Sequence, residues 1–352
     1  MKQRDVSVVI PAYNAQGFIA DALESLARQT EPPREVIVID DGSRDETSAA
    51  VRSWAASREL TFELHLHRQD NGGIAAARNH GISRSHGAWI ALLDADDIWD
   101  ERHVELLFAG LQHKPEAVLS YGAGRLFRGS EIQELPYDDF WDNPSKKFGL
   151  QFGDSPFYAI GRDVFPRLIK GNFIKPSSLM FLRAAARSVG DFRVALGTAE
   201  DREFLARLLL TGGFIYCSTP ITLYRWHDDN ASQGKNARRN IGFGLRAIHM
   251  VLEEHRDKLS RNEIKACKQA ILDTSRIPGG VHQWGHCTIP RRRALRSKPD
   301  RLAGHAGRPQ GPASGRQPVP LVAQLSRVGL PRRRGVRRNA APASTAGPTD
   351  IM

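Results

Sequence analysis

Trp89-Ile90-Ala91-Leu92-Leu93-Asp94-Ala95-Asp96-Asp97 is an apolar run that ends without transition in three acids. Such a run suits a buried strand. Carboxylates a few Å apart raise one another's pKa, so a cluster of them at a strand end calls for a cation. Asp94 and Asp96 are two positions apart and leave the same face of an extended chain. Asp97 leaves the other face and is placed to support the backbone. Two hard oxygen ligands converging on one point suit Mg²⁺ or Mn²⁺, with phosphate oxygens completing the shell. A second apolar run, Val36–Ile39, ends in Asp40-Asp41-Gly42-Ser43. The strand ends of an open α/β sheet border one crevice, and nucleotides bind there.

Outward from these two ends, residues 1–121 alternate strand and helix with short connections, the pattern of a mostly parallel sheet flanked by helices. Val6–Ile10 reads as the first strand. Phe18, Ile19, Ala22, Leu23 and Leu26 recur at helical spacing over Gly17–Arg28. Ser43 and Glu46 have capping-box spacing and open a helix running to Ala56. Phe62–His67 and Ala117–Tyr121 read as further strands, with helices over Ile74–Ser85 and Glu101–Gln112. From Gly122 to Lys170 aromatics, Pro and Gly are scattered, which predicts an irregular segment over the crevice. Ser178–Leu182, Phe214–Cys217 and Ile221–His227 read as strands, and Glu200–Leu210, Asn236–Arg256 and Arg261–Leu272 as helices.

The net charge of +11 is unevenly spread. From Arg291 onward thirteen Arg and one Lys face Asp300 and Asp350, a surplus of +12 that leaves −1 to residues 1–290. After Arg276 the composition turns to Arg, Pro, Gly and Ala, with no Glu beyond Glu263. Such a segment buries too little apolar surface to order itself, so residues 277–352 are expected to form a disordered basic tail. The abruptness of the change is also what a shifted reading frame produces. Cys217, Cys267 and Cys287 have no metal-binding spacing and point to a reducing compartment. Val6–Ile10 is too short for a signal-peptide core, and no run approaches about 18 apolar residues. The expected location is the cytoplasm.

Six segments, in their order and spacing, resemble the family 2 glycosyltransferases of GT-A fold. They are Pro11-Ala12-Tyr13-Asn14, Asp40-Asp41-Gly42-Ser43, Asn71 through Asn79, Asp94-Ala95-Asp96-Asp97, Glu200-Asp201, and Tyr224-Arg225-Trp226-His227. The resemblance covers residues 5–232. It implies a Rossmann-like α/β enzyme that moves a sugar from a nucleotide diphosphate donor, UDP-linked, to an acceptor hydroxyl with inversion. The acceptor would be a saccharide or lipid-linked saccharide in bacterial cell-surface polysaccharide or glycolipid synthesis. Residues 1–121 would form the nucleotide-sugar-binding half, 122–232 the acceptor-side half, and 233–276 C-terminal helices.

The resemblance also implies roles. Pro11, Ala12, Tyr13, Asn14, Asp41, Gly73, Arg78, Asp94, Ala95 and Asp96 would bind the donor. Asp41 would accept from a uracil N–H, or else be a turn residue before Gly42. Asp96 would hold Mn²⁺ or Mg²⁺, joined by Asp94 and His227; the plainer alternatives are a solvated strand end and a polar surface histidine. Gly72-Gly73 would admit the donor to a helix N-terminus, where anions are favoured. Arg78 would reach the base or phosphate, or lie on the surface. Trp226 reads as core. Asp201 would be the base beneath the acceptor hydroxyl, with Glu200 as the neighbour open to confusion; Thr198-x-x-Asp201 is also a capping-box pattern. One base suffices for one displacement, whereas a hydrolase would need two opposed carboxylates. Family members usually carry Pro after the acidic motif, where this chain has Ile98-Trp99-Asp100-Glu101; Asp100 can cap the next helix instead.

Two other classes compete. A sugar nucleotidyltransferase would need a Gly-rich basic loop where Pro11-Ala12-Tyr13-Asn14 stands. A nucleic-acid or membrane-surface binder with an inactive core would use Arg332-Arg333-Arg334 and Arg337-Arg338. The tail has no aromatic residue after Trp284 for base stacking, so no specific nucleic acid is expected. Peripheral contact of the tail with the inner face of the plasma membrane remains compatible with its charge.

Overall fold

The apolar strands of the first half are buried on both faces, which is why they read as continuous runs. A computed structural model of the chain describes residues 4–136, 143–227 and 237–275. The first half runs β1 (Arg4–Ala12), α1 (Ile19–Ala27), β2 (Pro33–Asp40), α2 (Thr47–Ala56), β3 (Glu63–Arg68), α3 (Ile74–Arg84) and β4 (Trp89–Leu92). Pairing is parallel throughout β3-β2-β1-β4. Val8, Ile10, Val36 and Val38 pack towards Leu23, Leu26 and Val51 of α1 and α2. The alternate positions Ile37 and Ile39 pack on Ala77 of α3.

Next come β5 (Ile98–Trp99), α4 (His103–Leu111), β6 (Leu119–Arg128), β7 (Glu131–Pro136), α5 (Ser145–Phe148), β8 (Leu150–Gln151) and β9 (Phe157–Ile160). The second half closes with α6 (Phe165–Lys170), β10 (Leu179–Leu182), α7 (Arg183–Val189), α8 (Glu200–Leu209), β11 (Phe214–Arg225), α9 (Ala237–Glu254) and α10 (Arg261–Ser275). All the described strands join one sheet, in the order β3-β2-β1-β4-β10-β6-β11-β9-β8, with β5 on β11 and β7 on β6. β10 lies antiparallel between β4 and β6, whereas β6 and β11 are parallel.

The structure corrects several expectations. The segment after Tyr121 is not irregular: β6 continues to Arg128, and the division placed at 121/122 falls inside it. Its small residues read as loop but serve packing, because a Cβ on Gly122 would lie 2.3 Å from Cδ1 of Ile221. The two strands expected over Phe214–His227 are one, β11, with its register shifted around Pro220. No capping box forms at α2. Ser43 Oγ accepts from Asn14 N at 3.0 Å instead, and Ser43 N donates to Asp40 Oδ1 at 2.8 Å, so Ser43 ties two strand ends together. Asp100 does cap the turn before α4, accepting from Arg102 N at 3.0 Å. The expected basic tail, Cys287 and Asp228-Asp229-Asn230 lie outside the described residues. No helix among the described residues is long and apolar enough to cross a membrane.

Helix α8, which carries Glu200 and Asp201, is fixed from behind. Arg207 holds Glu203 through two hydrogen bonds of 2.7 and 2.8 Å and donates to the carbonyls of Gly190 and Asp191 beyond α7. Both side chains are fully buried, so removing one charge strands the other. Glu203→Gln is therefore expected to cost about 3–5 kcal/mol of stability, measured by urea denaturation. A loss below about 1 kcal/mol would mean that the pair does not anchor α8.

Candidate active site

The chain turns sharply at the end of β4, with Asp97 N donating to Asp94 O at 3.0 Å. Ser177 braces this turn: its Oγ accepts from Asp94 N and donates to Asp97 Oδ2. Asp97 is buried and also accepts from Arg225 N at 3.0 Å, the backbone-supporting role expected of it. Burial, with the charges of Asp96 and Asp94, pushes the Asp97 carboxyl well above the usual range. Arg225 donates from Nε to Asp96 O at 2.7 Å and from Nη2 to Asp21 at 2.9 Å, tying β11 to the acidic turn.

The burial of Arg78 corrects the surface reading offered for it. The residue is only 1% exposed, and its guanidinium is engaged by the chain's own acids. Its Nη2 donates to Asp94 Oδ1 at 2.9 Å and its Nη1 to Glu200 Oε1 at 2.8 Å, with the Phe192 ring 5.7 Å away. One guanidinium thus joins the strand-end acids to those of α8. Asp94 is raised by burial, with Arg78 opposing and the charges of Asp96 and Asp201 reinforcing.

Asp94 and Asp96 are 22% and 27% exposed, so both open onto the crevice. His227 Nε2 lies 2.9 Å from Asp96 Oδ2, and its ring stacks on Phe18. The three expected metal ligands are adjacent but not preassembled. Among the described residues the group with ligand atoms mutually within 4.8 Å is Glu35, Glu63 and His65, at the β2–β3 edge. The donor set nevertheless fits Mn²⁺ or Mg²⁺: two partly exposed carboxylates, with Asp97 close behind them, repel one another until a cation intervenes.

On the β2 side, Asp41 is buried and its carboxylate is engaged by the segment that leads into α3. Oδ1 accepts from Gly72 N and Gln69 Nε2, both at 2.8 Å, and Oδ2 from Gly73 N at 2.9 Å. The backbone donors expected to meet a phosphate are given to Asp41, so the anion at this helix N-terminus is the protein's own. Asp40 is fully buried; burial raises its pKa, but hydrogen bonds from Ser48 and Ser43 outweigh this and leave it lowered. Pro11 and Ala12 belong to β1, where Ala12 O accepts from Asp41 N at 2.8 Å. Asn14 adopts φ 50° and accepts from Arg44 N, whereas Tyr13, 46% exposed, stands open to solvent. Ala95 and Trp226 are buried, the latter as expected of a core residue.

No capping box forms at α8 either. Thr198 Oγ1 donates to Asn240, and Asp201 accepts from Asn172 Nδ2 and Arg202 N, both at 2.6 Å. Asp201 is half-buried and borders a small recess with Leu92, Phe181, Phe192 and Phe204. Its neighbour Glu200 is only 4% exposed, and its Oε2 has no partner among the described residues. Burial and the charge of Asp201 push Glu200 up to about 8 against the pull of Arg78. Sequence reasoning missed Ser177, Asn172 and the bridging role of Glu200. Arg225 lay inside a quoted motif without a role, and Ser177 had no signal beyond following a proline.

Residues 7–163 match the model of Glycosyl transferase family 2. Glycosyltransferase GlyG of Streptococcus pneumoniae serotype 4 is 33% identical over 114 residues, 32% of this chain and 37% of that protein. TuaG of Bacillus subtilis, named for teichuronic acid biosynthesis, is 36% identical over 100 residues, 28% of this chain and 39% of TuaG. EpsH of Bacillus subtilis is 36% identical over 229 residues, 64% of this chain and 62% of EpsH. The match thus spans well under half of GlyG and TuaG. Among solved structures, S. aureus TarS 1–349 in complex with UDP-GlcNAc superposes with a TM-score of 0.55 at 18% identity, over 78% of this chain and 72% of that one. Mannosyltransferase PcManGT from Pyrobaculum calidifontis, in complex with GDP-Man and Mn²⁺, gives 0.55 at 18% identity over 78% and 74%. These likenesses establish the α/β GT-A architecture. The segment 7–163 is thus similar to a family 2 glycosyltransferase domain.

The raised Glu200 carboxyl makes stability depend on pH. The folded protein holds this proton up to about 8, while the unfolded chain releases it near the ordinary 4.5. Its contribution is therefore fully present below 4.5 and is lost as pH rises to 8. In metal-free protein, stability should fall across this window by up to about 1.4 kcal/mol per pH unit from this group. Glu200→Gln should flatten the profile, as followed by urea denaturation at several pH values. Parallel profiles for the two proteins would contradict the assignment.

Proposed function

We propose that this chain transfers a sugar from a nucleotide diphosphate donor, UDP-linked, to an acceptor hydroxyl with inversion at the anomeric carbon. The observation that carries the reading is the Arg78 bridge, which brings Asp94 at the end of β4 and Glu200 at the start of α8 to one centre. A sugar-transfer site needs a place for the diphosphate and, across the sugar, a base for the acceptor. The acids of the β4 turn suit the first and those of α8 the second. The UDP-GlcNAc in TarS and the GDP-Man with Mn²⁺ in PcManGT support a nucleotide-sugar donor on this fold.

Asp96, Asp94 and His227 would hold Mn²⁺ or Mg²⁺, which when bound offsets the negative charge developing on the leaving diphosphate. Asp201 takes the proton from the acceptor hydroxyl as its oxygen bonds to the anomeric carbon and the bond to diphosphate breaks. It is the accessible acid of the pair, and Asn172 fixes its orientation. Glu200, buried and bound to Arg78, holds that guanidinium in place. Tyr13, Asn14 and Asp41 border the crevice where the base would lie, and Asp41 has lone pairs beyond those that Gln69, Gly72 and Gly73 use. TuaG's name supports cell-surface polysaccharide synthesis, with a saccharide or lipid-linked saccharide as acceptor. Work on such an acceptor fits a cytoplasmic protein that touches the inner membrane face.

Two variants separate the roles. Asp96→Ala should weaken Mn²⁺-dependent UDP binding at least about 100-fold by calorimetry. Asp201→Asn should leave that affinity within about threefold but lower turnover about 10²–10⁴-fold. Full turnover in Asp201→Asn places the base elsewhere.

A further inference from the structure

We infer that the cavity between α6, α8, α9 and α10 is an oxyanion site that receives a phosphate or carboxylate group of the acceptor beside Asp201. The cavity measures about 380 Å³ including its solvent-open part, and Lys170, Arg202, Asn240 and Thr274 line it above an apolar floor of Ile241 and Ile248. Arg202 is 9% exposed. Among the described residues its Nε has no hydrogen-bond partner, and its Nη1 reaches the carbonyl of Lys170 at 3.3 Å. Among the described residues no carboxylate forms an ion pair with it.

The other buried arginines are treated differently. Arg78 holds Asp94 and Glu200, Arg207 holds Glu203 at 2.7 Å, and Arg225 holds Asp21 at 2.9 Å. Arginine does not deprotonate inside a protein, so a buried guanidinium without an anion is costly. Burial lowers the Arg202 pKa, with the nearby charge of Asp201 opposing. The fold nonetheless makes room for it: a Cβ on Gly244 of α9 would stand 2.6 Å from Arg202 Nη2. Lys170 adds a second positive charge at the rim, where its Nζ lies 3.4 Å from the half-exposed Asp273. A planar guanidinium presenting unused N–H groups to an open cavity is built for a bidentate oxyanion.

The place of the cavity names the ligand. Arg202 follows Asp201 directly, and one short stretch serves both: Lys170 O accepts from Arg202, and Asn172 donates to Asp201. A charged group held here lies on the α6 side of Asp201, apart from the turn of Asp94 and Asp96. An acceptor with its anion on Arg202 could present its hydroxyl to Asp201. This assignment to the acceptor rests on the proposed sugar transfer; the anion site itself does not.

The test is calorimetric titration of inorganic phosphate into the full chain with the donor site filled by UDP and Mn²⁺. Arg202→Met should weaken phosphate binding at least tenfold and leave UDP affinity within twofold, which also verifies folding. Gly244→Val, which displaces the guanidinium while keeping its charge, should weaken phosphate in the same way. Equal phosphate affinity in Arg202→Met and wild type, or no phosphate binding by the wild type, overturns the site. Competition then identifies the source of the anion. Farnesyl phosphate or methyl glucuronide should displace phosphate, and neutral methyl glucoside should not. Displacement by neither anionic compound overturns the acceptor assignment, while loss of UDP binding by the wild type would instead refute the sugar-transfer reading.

Discussion

A single guanidinium, fully withdrawn from water, holds the two halves of this site together. Arg78 sits on α3 and reaches Asp94 in one direction and Glu200 in the other, groups 16 and 122 positions away in the chain. Burying a guanidinium is expensive, and its attraction to these acids repays the cost only while the partners stay in register. The β4 turn and the start of α8 are therefore not free to drift apart. Everything assigned to the crevice depends on that constraint.

The same constraint divides the work of two adjacent acids. Glu200 points inward to Arg78 and is nearly inaccessible, whereas Asp201, one residue on, turns towards Asn172 and the recess beside Leu92. Consecutive helical residues point about 100° apart, so one side chain can brace while the next meets a ligand. The β4 turn repeats the arrangement. Asp97 is spent on Ser177 and Arg225, while Asp94 and Asp96 remain partly open. In both places a buried acid that braces the fold stands beside partly open acids available for chemistry.

The parallel half of the fold was legible because two-sided burial leaves unbroken runs such as Val36–Ile39, and acids at their ends mark the crevice. Beyond Tyr121 the same logic failed. β6 uses Gly122 to let Ile221 approach, and small residues in a strand look like loop. Arg78 and Asp41 were placed near the site, but their partners were not foreseeable. Whether a polar group faces a ligand or another part of the chain depends on contacts across 30 to 120 positions, which local spacing does not encode. Ser43 and Thr198 show the same limit: both had capping spacing, and both bond across the fold instead.

The central claim, that acids from separate parts of the chain gather around one cation and one diphosphate, is tested most directly by anomalous diffraction from crystals grown with Mn²⁺ and UDP. The account predicts a manganese peak about 2.0–2.3 Å from an oxygen of Asp96, in contact with the diphosphate and on the side of Asp94 away from Arg78. Bound UDP with no metal at Asp96, or manganese found only at Glu35, Glu63 and His65, would contradict it.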